Sequence, residues 1–147
     1  MNKLIKELEN SINYNFKNKD LIQKALTHKS YSSEINNEKL EFLGDRVLGL
    51  IISKELLDKF PNEKEGVIDK KFANLVNKKT CADIAYKLNL SKYLYLGSSN
   101  RNSESFNDKI ISDCLEAIIG AIYIDGGLKS VEKFILKTWK KYIDKSV

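Results

Sequence analysis

One histidine, one proline and two cysteines are spread through 147 residues, and each scarcity removes a class of protein. The lone His28 cannot furnish the Glu-x-x-His motifs of a helical-bundle di-iron or redox centre. Cys81 and Cys114 stand apart, with no CxxC spacing and no metal-ligand pattern, and read as buried, reduced thiols of a cytoplasmic protein. Calcium loops of the EF-hand type are missing. The longest apolar runs, near 47–52 and 117–122, are far too short to cross a membrane. Charges recurring from Lys3 and Lys6 onward do not fit a signal peptide. Period-two alternation of apolar and polar residues is absent as well, which leaves nothing to read as a β-strand.

What is present is apolar spacing of three and four residues along nearly the whole chain, the mark of an all-α fold in one domain, residues 1–147. The composition, 42% hydrophobic and 31% charged, is that of a folded globular protein. Leu4, Ile5, Leu8 and Ile12 suggest a first amphipathic helix. Asp20 is placed to cap a second helix, with Leu21, Ile22, Ala25 and Leu26 inward. Asn36 or Asn37 opens a long third helix that must end near Phe60-Pro61, because proline disfavours helix at the residue before it. Helix resumes after Gly66, and Thr80 with Asp83 resembles a capping box for the next helix. "LGSSNRNSESFND" (96–108) is a polar loop. A strongly apolar helix runs from about Lys109 to Ile124, where "DGG" (125–127) ends it. A final amphipathic helix carries Val131, Phe134, Ile135 and Trp139.

Two of these helices share an anomaly. "EKLEFLGDRVLGLII" (38–52) and "IISDCLEAIIGAIYI" (110–124) are apolar nearly all round, yet each carries acids. At about 100° per residue, Glu38, Glu41 and Asp45 fall within a narrow arc of the first, and Asp113 and Glu116 share a face of the second. Glu38 is equally well explained as a partner of the helix dipole, and Arg46 or a lysine could pair with one acid. If the two helices pack together, four carboxylates converge with too little positive charge nearby in sequence to neutralise them. Gly44 and Gly120 would let the backbones approach. Acids crowded in a low dielectric protonate or bind a cation, and an all-oxygen ligand set suits magnesium, manganese or calcium. Magnesium held by Glu41, Asp45, Asp113 and Glu116 is the resulting expectation. With a net charge of +5, a polyanionic partner and phosphate chemistry follow.

The same residues carry a resemblance. "NEKLEFLGDRVLGL" (37–50) resembles the signature of ribonuclease III endonucleases. The match continues through "FPNEKEG" (60–66), "LVNKKTCADIA" (75–85) and "SDCLEAIIGAIYIDGGL" (112–128), with "THKSY" (27–31) similar to the family's His-Lys/Arg-Ser element. The resemblance implies a magnesium-dependent endoribonuclease, with manganese as a substitute, that cuts double-stranded RNA to 5′-phosphate and 3′-hydroxyl ends in rRNA and mRNA processing. It implies Glu41, Asp45, Asp113 and Glu116 as catalytic metal ligands, and supporting roles for Glu38 and Glu65. It further implies a homodimer in which Phe42, read from its apolar setting as a core residue, inserts into the partner subunit. His28 reads as a structural hydrogen-bonding residue, not a general base. The 96–108 loop, rich in Ser and Asn, departs from the glycine- and charge-rich loop usual in that family. Bacterial relatives usually append a double-stranded-RNA-binding domain, and this chain stops at "KYIDKSV", about where the connection would begin. The competing class is a dimer that grips duplex RNA without cleaving it.

Overall fold

The computed structural model describes residues 2–97 and 107–146, so most of the 96–108 loop lies outside the described residues. In chain order come α1 (Asn2–Ile12), α2 (Lys19–Ala25), α3 (Glu38–Lys59), α4 (Glu65–Val76), α5 (Lys78–Lys87), a 3-10 turn (Leu90–Lys92) and α6 (Asp108–Lys145). Among the described residues, extended pairing is confined to one parallel bridge between Thr27 and Tyr95, so the all-α expectation holds.

The packing of α3 against α6 organises everything else. On α3 the buried residues are Leu40, Gly44, Val47, Leu48, Ile51, Ile52 and Leu56, a stripe of helical period. On α6 every residue from Ile111 to Ile122 is buried except Asp113. Each buried Leu or Ile contributes about 1.5–3 kcal/mol relative to exposure. α3 is not buried all round, however. Phe42, Leu50 and Leu57 are about 60% exposed on the face turned away from α6, which corrects the reading of Phe42 as core. Trp139, fully buried, donates its indole N–H to the Leu75 carbonyl at 2.8 Å and ties the far half of α6 to α4.

Helix ends follow local chemistry more closely than the sequence suggests. Asn18, not Asp20, caps α2, its side-chain oxygen accepting from the Asp20 N–H at 3.0 Å. Asn77, not Thr80, caps α5 by accepting from the Thr80 N–H at 2.8 Å, while the Thr80 hydroxyl donates to the Asn74 carbonyl. Asparagine reaches its own backbone two or three residues on, and Asn18 and Asn77 sit two and three residues before the residues with the better-looking motif. As the sequence suggests, the "DGG" segment divides α6 into two helical halves: Gly127, with φ of 85° and ψ of −179°, is not helical, and a second helical half follows it. Asp125, just before the break, accepts from the Tyr14 hydroxyl at 2.6 Å and from the Lys17 and Asn18 N–H groups at 2.8 and 2.9 Å. Glu9, buried, is satisfied in the same corner by the Phe16 N–H at 2.7 Å and the Lys19 ammonium at 2.6 Å.

Candidate metal centre

Two glycines set the geometry of the acids. A Cβ on Gly44 would lie 2.6 Å from the Glu116 carbonyl carbon and 2.9 Å from the Gly120 nitrogen. A Cβ on Gly120 would lie 3.1 Å from the Leu40 carbonyl carbon and 3.2 Å from the Gly44 nitrogen. The backbones of α3 and α6 therefore touch at this crossing, and the acids one turn earlier on each helix are drawn together. Glu41, Asp113 and Glu116 each place a carboxylate oxygen within 4.8 Å of the others, and they are the one group of potential metal ligands among the described residues. Asn37 fixes the start of α3: buried, it donates its side-chain N–H to the Ala25 carbonyl and its backbone N–H to the Thr27 carbonyl.

The electrostatics are those of crowded carboxylates. Glu116 is 7% exposed, and burial, then Asp45 and the other acids, push its carboxyl up to about 9. At neutral pH this group holds its proton unless a cation replaces it. Burial and the neighbouring Asp113 also raise Glu41 above the ordinary carboxylate range. Asp113, half-buried, is met by the Lys109 ammonium at 2.8 Å.

Asp45 meets the cluster from its rim, where it acts on Glu116 through a side-chain hydrogen bond and its charge. Its side chain is 52% exposed and also leans on Arg46 at 3.4 Å. It still lines a cleft of about 280 Å³ together with Asp113, Glu116, Lys109 and Ser112. The acids are therefore a close trio with Asp45 at its edge, and two of the four have a basic partner. On the other side of Asp113 lies a second cleft of about 240 Å³, lined by His28, Lys29, Glu38, Glu41 and Lys109. Glu38 reaches this cleft from the surface, 4.0 Å from Lys29. Glu65 opens α4, exposed, and lines neither cleft. His28 accepts at Nδ1 from the Ser30 N–H at 3.1 Å, and burial followed by the charge of Lys29 keeps it below its ordinary pKa. Cys81 and Cys114 are buried, with thiols pushed up to about 12, as expected of inert cysteines.

Residues 18–143 match the family described as ribonuclease-III-like. The chain belongs to this family. Ribonuclease 3 of Pelagibacter ubique is 54% identical over 141 residues, covering 96% of this chain and 64% of that protein. Ribonuclease 3 of Campylobacter fetus is 46% identical over 133 residues, covering 90% and 60%. The chain thus spans about three-fifths of the length of the curated relatives it matches. Among solved structures, the nuclease domain of ribonuclease III from Campylobacter jejuni is similar with a TM-score of 0.91 at 42% identity, covering 94% of this chain and 97% of that one. Dicer from Pichia stipitis is similar at 0.73 and 26%, covering 89% and 58%. Within this ribonuclease-III-like fold, Phe42 lies exposed beneath the Arg46 guanidinium, 3.9 Å from its ring centre.

Lys109 is the site residue that the acidic pattern does not single out, although its i,i+4 spacing to Asp113 is a sequence signal.

Proposed function

We propose that this chain is the nuclease part of a magnesium-dependent endoribonuclease that cleaves double-stranded RNA and works as a homodimer. The observation that carries the reading is the trio Glu41, Asp113 and Glu116, oxygen donors gathered within 4.8 Å at a crossing built from two glycines. Hard oxygen ligands of this kind fit magnesium or manganese. Glu41, Asp113 and Glu116 would hold the ion, with Asp45 joining from the rim. A bound divalent ion supplies Lewis-acid chemistry, making a hydrolytic nucleophile available at neutral pH and offsetting charge on the reacting phosphate.

The chain's own residues set the conditions for that chemistry. Glu116 gives up its proton when it becomes a ligand, so loading the site is coupled to pH. Gly44 and Gly120 keep the donors from spreading. Asn37 pins the first turn of α3, from which Glu41 projects. The two open clefts on either side of Asp113 give an extended phosphate backbone a path across the acids. The net charge of +5 supports a polyanionic substrate, whose duplex form is recognised by shape and backbone. The exposed row of Phe42, Leu50 and Leu57 supports self-association, and the similar Campylobacter jejuni nuclease domain is described as having a region involved in dimer formation. On this reading Glu38 and Glu65 act from outside the trio.

Duplex RNA incubated with the purified chain tests the proposal. Cleavage that needs magnesium and disappears in Glu116→Gln supports it. Retention of RNA without cleavage at any magnesium concentration favours the binding-only dimer.

A further inference from the structure

Lys109 is a cation already in place among the acids. Its ammonium lies 2.8 Å from Asp113, and Lys109 and Asp113 are the two residues that line both clefts. The hydrogen bond and charge of Asp113, then the charge of Glu41, favour its charged form. Local helix energetics do not explain the placement. Lysine in the first turn of a helix opposes the dipole, and lysine four residues before an acid is the weaker order for such a pair. The carboxylates of α3, brought across by the glycine crossing, supply the missing attraction. The side chain is also 66% exposed, so it can leave Asp113 at small cost.

We infer that Lys109 is a resident counter-cation of the acidic trio, which neutralises Asp113 in the ion-free protein and competes with the divalent ion for that carboxylate. This inference rests on the reading of the trio as a divalent-cation site. Its consequence is a buffered site. The acids stay assembled without an ion, and the affinity for magnesium is lower than the ligand set alone would give.

Magnesium and manganese titrations by calorimetry test it, on wild type, Lys109→Met and Lys109→Arg. Methionine keeps the length and removes the charge, and should tighten both ions by roughly fivefold, about what an exposed ion pair is worth. The ion-free Lys109→Met protein should melt lower than wild type, since the acids lose their partner. Arginine can still reach Asp113 and should restore wild-type ion affinity. Unchanged or weaker ion binding in Lys109→Met overturns the role assigned to Lys109 while leaving the metal site standing. Absence of ion binding in wild type brings down both.

Discussion

Gly44→Ala is the sharpest probe of how the acids are held. Ordinary contact begins near 3.4 Å, and the new methyl would stand 2.6 Å from the Glu116 carbonyl carbon, with the carbonyl oxygen closer still. Nothing at this point is a flexible side-chain tip, because the obstruction is the backbone of α6. The helices must therefore part by about 1 Å or tilt, and either movement loosens the flanking contacts of Leu40, Leu48, Leu115 and Ile119. Overpacking of this kind costs about 1–3 kcal/mol or more. The same displacement spreads Glu41 from Glu116, and misplacement by about 1 Å can lower a rate by a factor of roughly 100. Thermal unfolding, ion affinity by calorimetry and cleavage of a short duplex should all change together. Gly120→Ala, blocked at 3.1 Å by the Leu40 carbonyl carbon, should behave alike. A Gly44→Ala protein with wild-type melting and wild-type ion affinity would refute the idea that this crossing sets the site.

Other outcomes follow from the charges and the exposed faces. Glu116, raised to about 9 against about 4.3 in an unfolded chain, stabilises the ion-free fold below the lower value, and that stability is lost as pH rises toward the upper. Denaturant titrations without divalent ions should show wild-type stability falling by up to about 1.4 kcal/mol per pH unit across this window, with the slope lost in Glu116→Gln; equal slopes would contradict the assignment. Magnesium should raise the melting temperature of wild type and release close to one proton per ion near pH 7, measured by calorimetry in buffers of different ionisation enthalpy. Phe42→Ala should change protomer stability by less than about 0.5 kcal/mol, the side chain being exposed, yet weaken self-association in sedimentation experiments. Cleavage should fall steeply with added salt if surface lysines grip the phosphates, and salt-independent rates would argue against that mode of binding.

Helix-spaced acids in apolar surroundings and glycines one turn beyond them were legible because both are periodic signals. Glu41 with Gly44, and Glu116 with Gly120, define a crossing on spacing alone. Asp45 was less legible, since whether a helical residue faces the partner helix or its rim depends on the crossing angle, which no local pattern encodes. Phe42, Leu50 and Leu57 look like core residues from composition, and only the position of α6 reveals that they face outward. The caps at Asn18 and Asn77 escaped because the neighbouring Asp20 and Thr80 match the usual motif better. Glu9 and Asp125 were invisible for another reason. Their partners, backbone N–H groups together with the Tyr14 hydroxyl and the Lys19 ammonium, are assembled only by the folded corner.

That corner has a consequence for how the chain comes into being. Asp125 receives its three donors from residues 107 to 111 positions earlier. During synthesis the segment bearing Tyr14, Lys17 and Asn18 leaves the ribosome roughly 5–20 s before the carboxylate that will fasten it, at about 5–20 residues per second. α2 meets the same delay, because its chief packing partner is α6. Helices are usually credited with rapid, local assembly, but here the N-terminal clasp closes a loop that spans most of the chain, and contacts so distant in sequence slow folding. The opening segment must therefore wait, unclasped, for the last long helix to be made.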